Sequence, residues 1–216
     1  MLLEDDVSRM TFVYFLKSKD QALQFFKDFK SLVENQTSLS IKTLRTDNGG
    51  EFCSKQFEKF LSDSGILHQK TNPYTPQQNG MVERMNRTII EKTRCLLFDS
   101  GLQKCFWAEA VHTAVYLRNR CVAKGLNNKT PHEIWYKQKP NVGHIRIFGS
   151  EVMVHVPKEK RTKLDKKSLT MILIGYCENV KGYRLWDPID KKVVTSRDVL
   201  IIGKKKQISL SQFQSL

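Results

Sequence analysis

The sequence has 216 residues, and its 36 lysines and arginines exceed its 22 aspartates and glutamates, which gives a formal net charge of +14. The length allows one hydrophobic core, or a core with a small second domain. No apolar run reaches the roughly 20 residues of a membrane helix, and the acidic N-terminus is too short for a signal peptide. The charge indicates a polyanionic partner, nucleic acid before an anionic membrane surface, with mere solubility as the alternative.

The first 70 residues alternate between strand and helix patterns. In chain order they predict a strand stub at 1–3, a buried strand at 10–16, a helix within 19–34 and a strand at 39–44. A helix that carries Phe52, Phe57, Phe60 and Leu61 and ends at Gly65 follows, and then a short strand at 66–69. This order favours an α/β layer fold with a partly antiparallel sheet.

The remaining residues change from helical to strand periodicity. Residues 81–122 predict a helical region split at 99–101, and residues 130–136 a short helix with Pro131 near its start. Short strands are then predicted at 145–148, 152–156, 171–176, 182–186 and 193–195. Even spacing with tight turns is typical of a small β-barrel.

The five cysteines are scattered and include no C-x-x-C pair. The sequence therefore argues against a disulfide framework and against a structural zinc site, and reduced thiols in an intracellular protein are the simplest account. The five histidines show no ligand spacing either.

Two acidic residues suggest a site for a divalent cation. Asp47 follows a predicted strand, and Asn48-Gly49-Gly50 breaks the chain directly after it. Glu83 lies 36 positions later, where a helix begins. Carboxylates at a strand end and a helix start can share Mg²⁺, which prefers such oxygen ligands together with phosphates. The alternative for each acid alone is a turn aspartate and a solvated helix glutamate.

Basic and amide side chains surround these two acids in the sequence. Arg87 falls one helical turn after Glu83, where it can neutralise a phosphate. The further candidates for DNA binding are Arg84, Lys92, Gln77 and Asn79. Together these residues predict a site that handles phosphodiesters.

Three stretches then resemble one family. They are Thr46-Asp47-Asn48-Gly49-Gly50-Glu51-Phe52, Pro73-Tyr74-Thr75-Pro76-Gln77-Gln78-Asn79-Gly80 and Glu83-Arg84-Met85-Asn86-Arg87-Thr88. They are similar to the integrase core of copia-type LTR retrotransposon polyproteins. The 35 residues between Asp47 and Glu83 match the second and third acids of the D,D-35-E signature. Phe148-Gly149 and Gly182-Tyr183-Arg184-Leu185-Trp186 resemble the SH3-like module that follows that core.

The resemblance implies a ribonuclease-H-like core with a mixed sheet at residues 1–100. It also implies a helical extension at 101–140, an SH3-like β-barrel at 141–203 and a basic and polar tail at 204–216. The implied activity is DNA integration, meaning metal-dependent 3′-end processing and strand transfer, with Asp47 and Glu83 binding Mg²⁺ or Mn²⁺. The implied partners are DNA and other integrase subunits, without a membrane. The implied location is the nucleus or a retrotransposon particle.

The first acid of the signature has no match in the sequence. The family carries it on the opening strand, within a D-x-x-G-P stretch that occurs nowhere here. Asp5 and Asp6 instead match the turn between the family's second and third strands, where acids cap the turn. We therefore expect a core without its first strand, with weakened metal binding and impaired catalysis. The alternatives are a non-catalytic DNA-binding or assembly module, or a dominant-negative partner of intact subunits.

Overall fold

The computed structural model of the protein describes residues 1–71, 76–164, 166–177 and 180–204, except for the side chains of 76–79, 160 and 204. Its helices are Ala22–Thr37 (α1), Lys55–Asp63 (α2), Pro76–Ser100 (α3), Trp107–Arg120 (α4) and Pro131–Tyr136 (α5). Its strands are Leu2–Glu4 (β1), Thr11–Val13 (β2), Thr43–Thr46 (β3), Leu67–Lys70 (β4), Ser150–His155 (β5), Ser168–Tyr176 (β6), Tyr183–Asp187 (β7), Lys192–Ser196 (β8) and Val199–Lys204 (β9). The predicted mixed α/β fold is confirmed.

The N-terminal strands form two separate pairs. β1 and β2 are antiparallel, whereas β3 and β4 are parallel. Among the described residues no strand joins the two pairs. Leu3 of β1 and Leu44 of β3 nevertheless pack against one cluster of buried side chains, formed by Phe26, Phe57, Leu61 and Ile66. The helices α1 and α2 therefore cover both pairs with one core.

Side-chain caps explain where two of the helices begin. The Ser54 hydroxyl accepts a hydrogen bond of 3.3 Å from the Phe57 N–H at the start of α2. The Thr130 hydroxyl accepts one of 3.1 Å from the Glu133 N–H, directly before Pro131. A proline in the first helical turn loses no intrahelical bond, so the predicted position of α5 is confirmed. None of the helices in the described parts of the chain has the length and apolar character needed to span a bilayer.

The C-terminal strands form one five-stranded antiparallel sheet in the order β8-β7-β6-β5-β9. The predicted strand at 145–148 is wrong. The Ile145 N–H donates to the Val142 carbonyl at 3.0 Å, and the Arg146 N–H donates to the Tyr176 hydroxyl at 3.0 Å. These local bonds replace a strand ladder, and Gly149 follows with a φ of 82°. The fifth strand is β9, which the sequence analysis did not assign.

Helix α4 contacts both halves of the chain. The Asn119 side chain accepts a hydrogen bond of 3.0 Å from the Thr11 N–H and donates one of 2.8 Å to the Thr11 carbonyl. At the other end of the helix, the Glu109 carboxylate accepts bonds of 2.8 and 2.5 Å from the Arg184 guanidinium of β7. The Thr113 hydroxyl also donates to the Ile174 carbonyl of β6 at 3.4 Å.

Asn119 caps the backbone of β2, so its replacement should destabilise the N-terminal part of the fold. Asn119 is 4% exposed, and Asn119→Ala leaves the buried N–H and carbonyl of Thr11 without these partners. We expect the free energy of unfolding, measured by urea titration, to fall by about 2–4 kcal/mol. The control is Asn35→Ala at an exposed position of α1, which should change it by less than about 0.5 kcal/mol. Equal effects of the two substitutions would contradict the assignment.

Candidate functional site

Asp47 lies at the carboxyl end of β3, as the sequence predicts. Its carboxylate is exposed, and its Oδ1 atom accepts a hydrogen bond of 3.0 Å from the Gly49 N–H. The next residue, Asn48, donates from Nδ2 to the Thr71 carbonyl at 2.9 Å, directly after β4. The loop that carries Asp47 is therefore tied to the ends of both parallel strands.

A second carboxylate, which sequence reasoning missed, lies beside Asp47. A Cβ atom added to Gly49 would meet Asp47 Oδ1 at 2.9 Å and Glu51 Oε2 at 3.1 Å. Both carboxylates therefore lie over the same glycine, which has no side chain to displace them. Lys19 Nζ donates a hydrogen bond to the Glu51 carboxylate at 3.2 Å. The pKa of Glu51 is lowered chiefly by a hydrogen bond from the backbone N–H of Glu51 to its own carboxylate, and the bond from Lys19 lowers it further. The signal available in the sequence was the glycine pair between the two acids.

Helix α3 carries the predicted basic face. Met85 and Ile89 are buried against side chains of the β1–β2 pair, at 8% and 2% exposure. Glu83, Arg84 and Arg87 are exposed on the other side of the helix, and Lys92 is half-buried. The predictions for Gln77 and Asn79 concern side chains outside the described part of the structure.

Asp47 and Glu83 lie on separate elements, Asp47 directly after β3 and Glu83 on α3. No hydrogen bond or ion pair of the described residues joins Asp47 to Glu83. The described parts of the chain also contain no group of three or more His, Cys, Asp or Glu side chains that could hold a metal ion. The oxygen donors of Asp47 and Glu83 suit Mg²⁺, which binds one or two carboxylates together with phosphates. The carboxylates of Asp47 and Glu83 are therefore the type of ligand that Mg²⁺ prefers, and they would supply two of its ligands.

The acids near the N-terminus act in the turn between β1 and β2. The Asp5 carboxylate accepts hydrogen bonds from the Ser8 N–H at 2.7 Å and from the Ser8 hydroxyl at 2.6 Å. Asp6 forms an ion pair of 2.9 Å with Arg9. The expectation that these acids cap a turn is confirmed. The Arg9 guanidinium also contacts the Met81 sulfur, which brings this turn to the first part of α3.

Beside the Asp47 loop, His68 of β4 contacts Thr46 of β3. The Thr46 hydroxyl and His68 Nε2 are 2.9 Å apart, and the His68 ring lies 6.4 Å from that of Phe57. Burial is the main cause that lowers the pKa of His68, and the Lys70 charge adds to it. The folded structure therefore favours the neutral form of the His68 imidazole.

Comparison with known proteins assigns two separate parts of the chain. Residues 3–76 match the integrase core domain, and residues 150–212 match the retroviral polymerase SH3-like domain. The chain is an integrase core followed by an SH3-like domain. It is 52% identical to the retrovirus-related Pol polyprotein from transposon TNT 1-94 of Nicotiana tabacum over 196 residues. These aligned residues make up 91% of the chain and 15% of that relative.

Two further relatives come from Arabidopsis thaliana. The Pol polyprotein from transposon RE2 is 35% identical over 199 residues, covering 92% of the chain and 14% of the relative. The Pol polyprotein from transposon RE1 is 34% identical over 183 residues, which cover 85% of the chain and 12% of that relative. The resemblance to copia-type retrotransposon polyproteins is therefore confirmed. The chain spans about one seventh of the length of these relatives.

Among solved structures, the chain is similar to the HTLV-2 integrase catalytic core domain in complex with magnesium, in its trimeric form. The TM-score is 0.49 at 24% identity, over 62% of this chain and 81% of the other.

Histidine titration should make this protein less stable in mild acid. Burial lowers the pKa of His68, His132 and His144 below the usual value near 6.5, so the folded state binds fewer protons than the unfolded state there. Their contribution to stability is complete above about pH 6.5 and is lost as the pH falls through the lowered values. We expect a lower urea midpoint at about pH 5.5 than at about pH 7.5. His68→Gln, which retains a polar group beside Thr46, should reduce this difference, and an unchanged difference would exclude His68 as a contributor.

Proposed function

We propose that this chain binds DNA as the integrase-core part of a retrotransposon Pol protein. The observation that carries the proposal is the exposed face of α3, where Arg84 and Arg87 flank the position of Glu83 while the opposite face is packed in the core. Arginines on one helix face supply several phosphate contacts from a rigid element. The net charge of +14 supplies the long-range attraction to a polyanion.

The SH3-like domain adds a second basic surface. Lys158, Arg161 and Lys163 line a shallow cavity of about 260 Å³ in the segment between β5 and β6. Arg161 Nε donates to the Val156 carbonyl at 3.2 Å, which holds this side chain against the end of β5. A cavity lined by cations suits a phosphate of the DNA backbone, and we propose that this segment tracks the same duplex.

Asp47 and Glu83 are the proposed metal ligands. Mg²⁺ or Mn²⁺ ions held by carboxylates stabilise the attacking and leaving oxygens of an in-line displacement at phosphorus. Asp47 is oriented by the Gly49 N–H, and Arg87 lies one turn from Glu83, where its charge can balance that of a bound phosphate. With these two carboxylates as the candidate ligands, we propose that the chain by itself has little or no strand-transfer activity.

The proposed domain organisation has four segments, of which the core and the barrel are the two domains. We propose a core over residues 1–100, a helical extension over 101–140, a barrel over 141–203 and a tail beyond, acting in the nucleus or a retrotransposon particle. The second candidate function is a non-catalytic module that assembles with other integrase subunits. The contacts of α4 with both domains favour a rigid unit suited to that role.

Salt dependence tests the DNA-binding proposal. We expect fluorescence anisotropy with a labelled duplex to show binding that weakens linearly on a logarithmic scale as salt rises. Each of Arg84→Ala and Arg87→Ala should reduce the magnitude of the slope by about 0.9, the value for one lost phosphate contact. The matched control is Lys30→Ala on α1, whose ammonium is paired with Glu34 at 2.7 Å and which should leave the slope unchanged. Binding without salt dependence would contradict the proposal.

A strand-transfer assay with a labelled donor end tests the catalytic proposal. With Mg²⁺ or Mn²⁺ we expect the chain to give product close to the level of its Asp47→Asn and Glu83→Gln variants, while all three retain salt-sensitive DNA binding. Metal-dependent product from the chain that Glu83→Gln abolishes would instead establish an active enzyme. If Asp5→Asn or Asp6→Asn also abolishes that product, the site has a complete acidic triad. One of these aspartates would then bind metal in addition to capping the turn.

A further inference from the structure

The junction segment, residues 141–146, leads from the helices to the first strand of the C-terminal sheet. The Tyr183 hydroxyl of β7 donates to the His144 carbonyl at 2.8 Å. The Tyr176 hydroxyl of β6 donates to the Arg146 carbonyl at 2.7 Å and accepts from the Arg146 N–H at 3.0 Å. Two tyrosines of the SH3-like domain therefore hold the backbone of an irregular segment in one position.

The Arg146 side chain folds back along this segment. Its Nη1 atom donates to the Gly143 carbonyl at 2.7 Å and to the Ile145 carbonyl at 2.8 Å, so the guanidinium lies beside the backbone on both sides of His144. A guanidinium has five N–H groups, and these bonds use only those of Nη1. Arg146 is exposed and forms no ion pair with any residue in the described ranges. Its remaining N–H groups can therefore donate to a ligand.

The His144 ring is held in place by α4. Its Nε2 atom lies 2.6 Å from the Tyr116 hydroxyl. The Tyr116 ring is itself stacked on the Tyr176 ring with centroids 4.4 Å apart, and the Arg120 guanidinium lies 3.5 Å over it. When the Tyr116 hydroxyl donates to Nε2, the proton of a neutral imidazole is on Nδ1, which becomes a donor for a ligand.

The surroundings of His144 are positive. Burial is the main cause that lowers its pKa, and the charges of Arg120 and Arg146 lower it further. The sequence from Ile134 to Ser150 contains two lysines besides Arg146 but no aspartate or glutamate. A positive potential of this kind favours binding of an anion, and a backbone that is already fixed loses little further freedom when the anion binds. The titratable and charged side chains that face His144 in the described part of the chain are those of Tyr116, Arg120, Arg146, Tyr176 and Tyr183.

We propose that the Arg146 guanidinium and the His144 Nδ1–H together bind a phosphate of the DNA backbone. Both donors match phosphate oxygens, and a guanidinium binds them with charge-assisted hydrogen bonds. The inference rests on the proposed DNA binding and adds a contact at the junction of α4 with the SH3-like domain. Because the backbone of the junction segment is bonded to β6 and β7, a phosphate held there fixes the position of the duplex relative to that domain.

Histidine-ring NMR spectra of the full chain test the site directly, with the His144 signal identified by its loss in His144→Gln. At low salt, a short DNA duplex should shift this signal and raise the pKa of His144, because a bound anion favours the protonated imidazole. Arg146→Ala should weaken this response several-fold, and Arg146→Lys, which keeps the charge, should recover part of it. Arg197→Ala, which removes an exposed arginine between β8 and β9, should leave it unchanged. If Arg146 only braces the segment, Arg146→Ala gives the same response as the unaltered protein, and that result would overturn the proposal.

Inorganic pyrophosphate as a second probe separates the two sources of phosphate. A response of His144 to the duplex as well as to pyrophosphate supports the proposal. A response to pyrophosphate alone would assign the site to free phosphates and overturn the DNA contact. No response to either probe would overturn the site itself.

Anisotropy titrations with a labelled duplex distinguish this site from the rest of the DNA-binding surface. Arg146→Ala should reduce the magnitude of the salt slope by about 0.9, whereas Arg146→Lys and Arg197→Ala should leave it unchanged. Circular dichroism should show that all these variants are folded, because the bonds to Tyr176 and Tyr183 use backbone atoms of the segment. An unchanged slope in Arg146→Ala, together with reduced slopes in the arginine variants of α3, would contradict the junction site alone. Absence of salt-dependent binding would contradict the proposed function, and the pyrophosphate response would still decide whether the anion site exists.

Discussion

The packing of α4 against the β1–β2 pair on one side and the five-stranded C-terminal sheet on the other is the constraint on which the rest of the structure depends. Val111, Ala114 and Val115 belong to the buried cluster that includes Met85 and Ile89 of α3. Ala110, one position from Val111, belongs instead to the cluster that includes strand β6 of the C-terminal sheet. A helix with core on two sides needs small residues at its closest contacts, and Ala110 and Ala114 are both fully buried.

Polar contacts then fix the position of this helix at both ends. At one end the Glu109 carboxylate holds the Arg184 guanidinium with two hydrogen bonds. At the other end the Tyr116 ring stacks on Tyr176 with centroids 4.4 Å apart, and its hydroxyl lies 2.6 Å from His144 Nε2. The SH3-like domain is therefore held on the core by paired charges and stacked rings, so its basic segment has a defined position relative to α4.

The candidate site combines positions that differ in how well sequence predicts them. Asp47 was predictable because a strand pattern followed by a glycine pair specifies a turn with a polar residue at its start. The basic face of α3 was predictable because helical periodicity separates Met85 and Ile89 from the arginines. The proximity of Glu51 to Asp47 was not, because it depends on how the loop folds over Gly49. The same is true of the turn that brings Arg9 to Met81, which joins residues 72 positions apart.

The sequence by itself determined the mixed α/β class and the order of most helices and strands, and it predicted Asp47 and Glu83 as the candidate pair of acids, because periodicity, turn chemistry and motif spacing are local properties. It failed at residues 145–148, where β-branched and aromatic residues predicted a strand and the Tyr176 hydroxyl took the Arg146 N–H instead. The tertiary structure decided that β9 completes the sheet, that Asn119 caps β2 and that one helix serves two cores. Each of these depends on contacts between residues far apart in the chain, which no local pattern encodes.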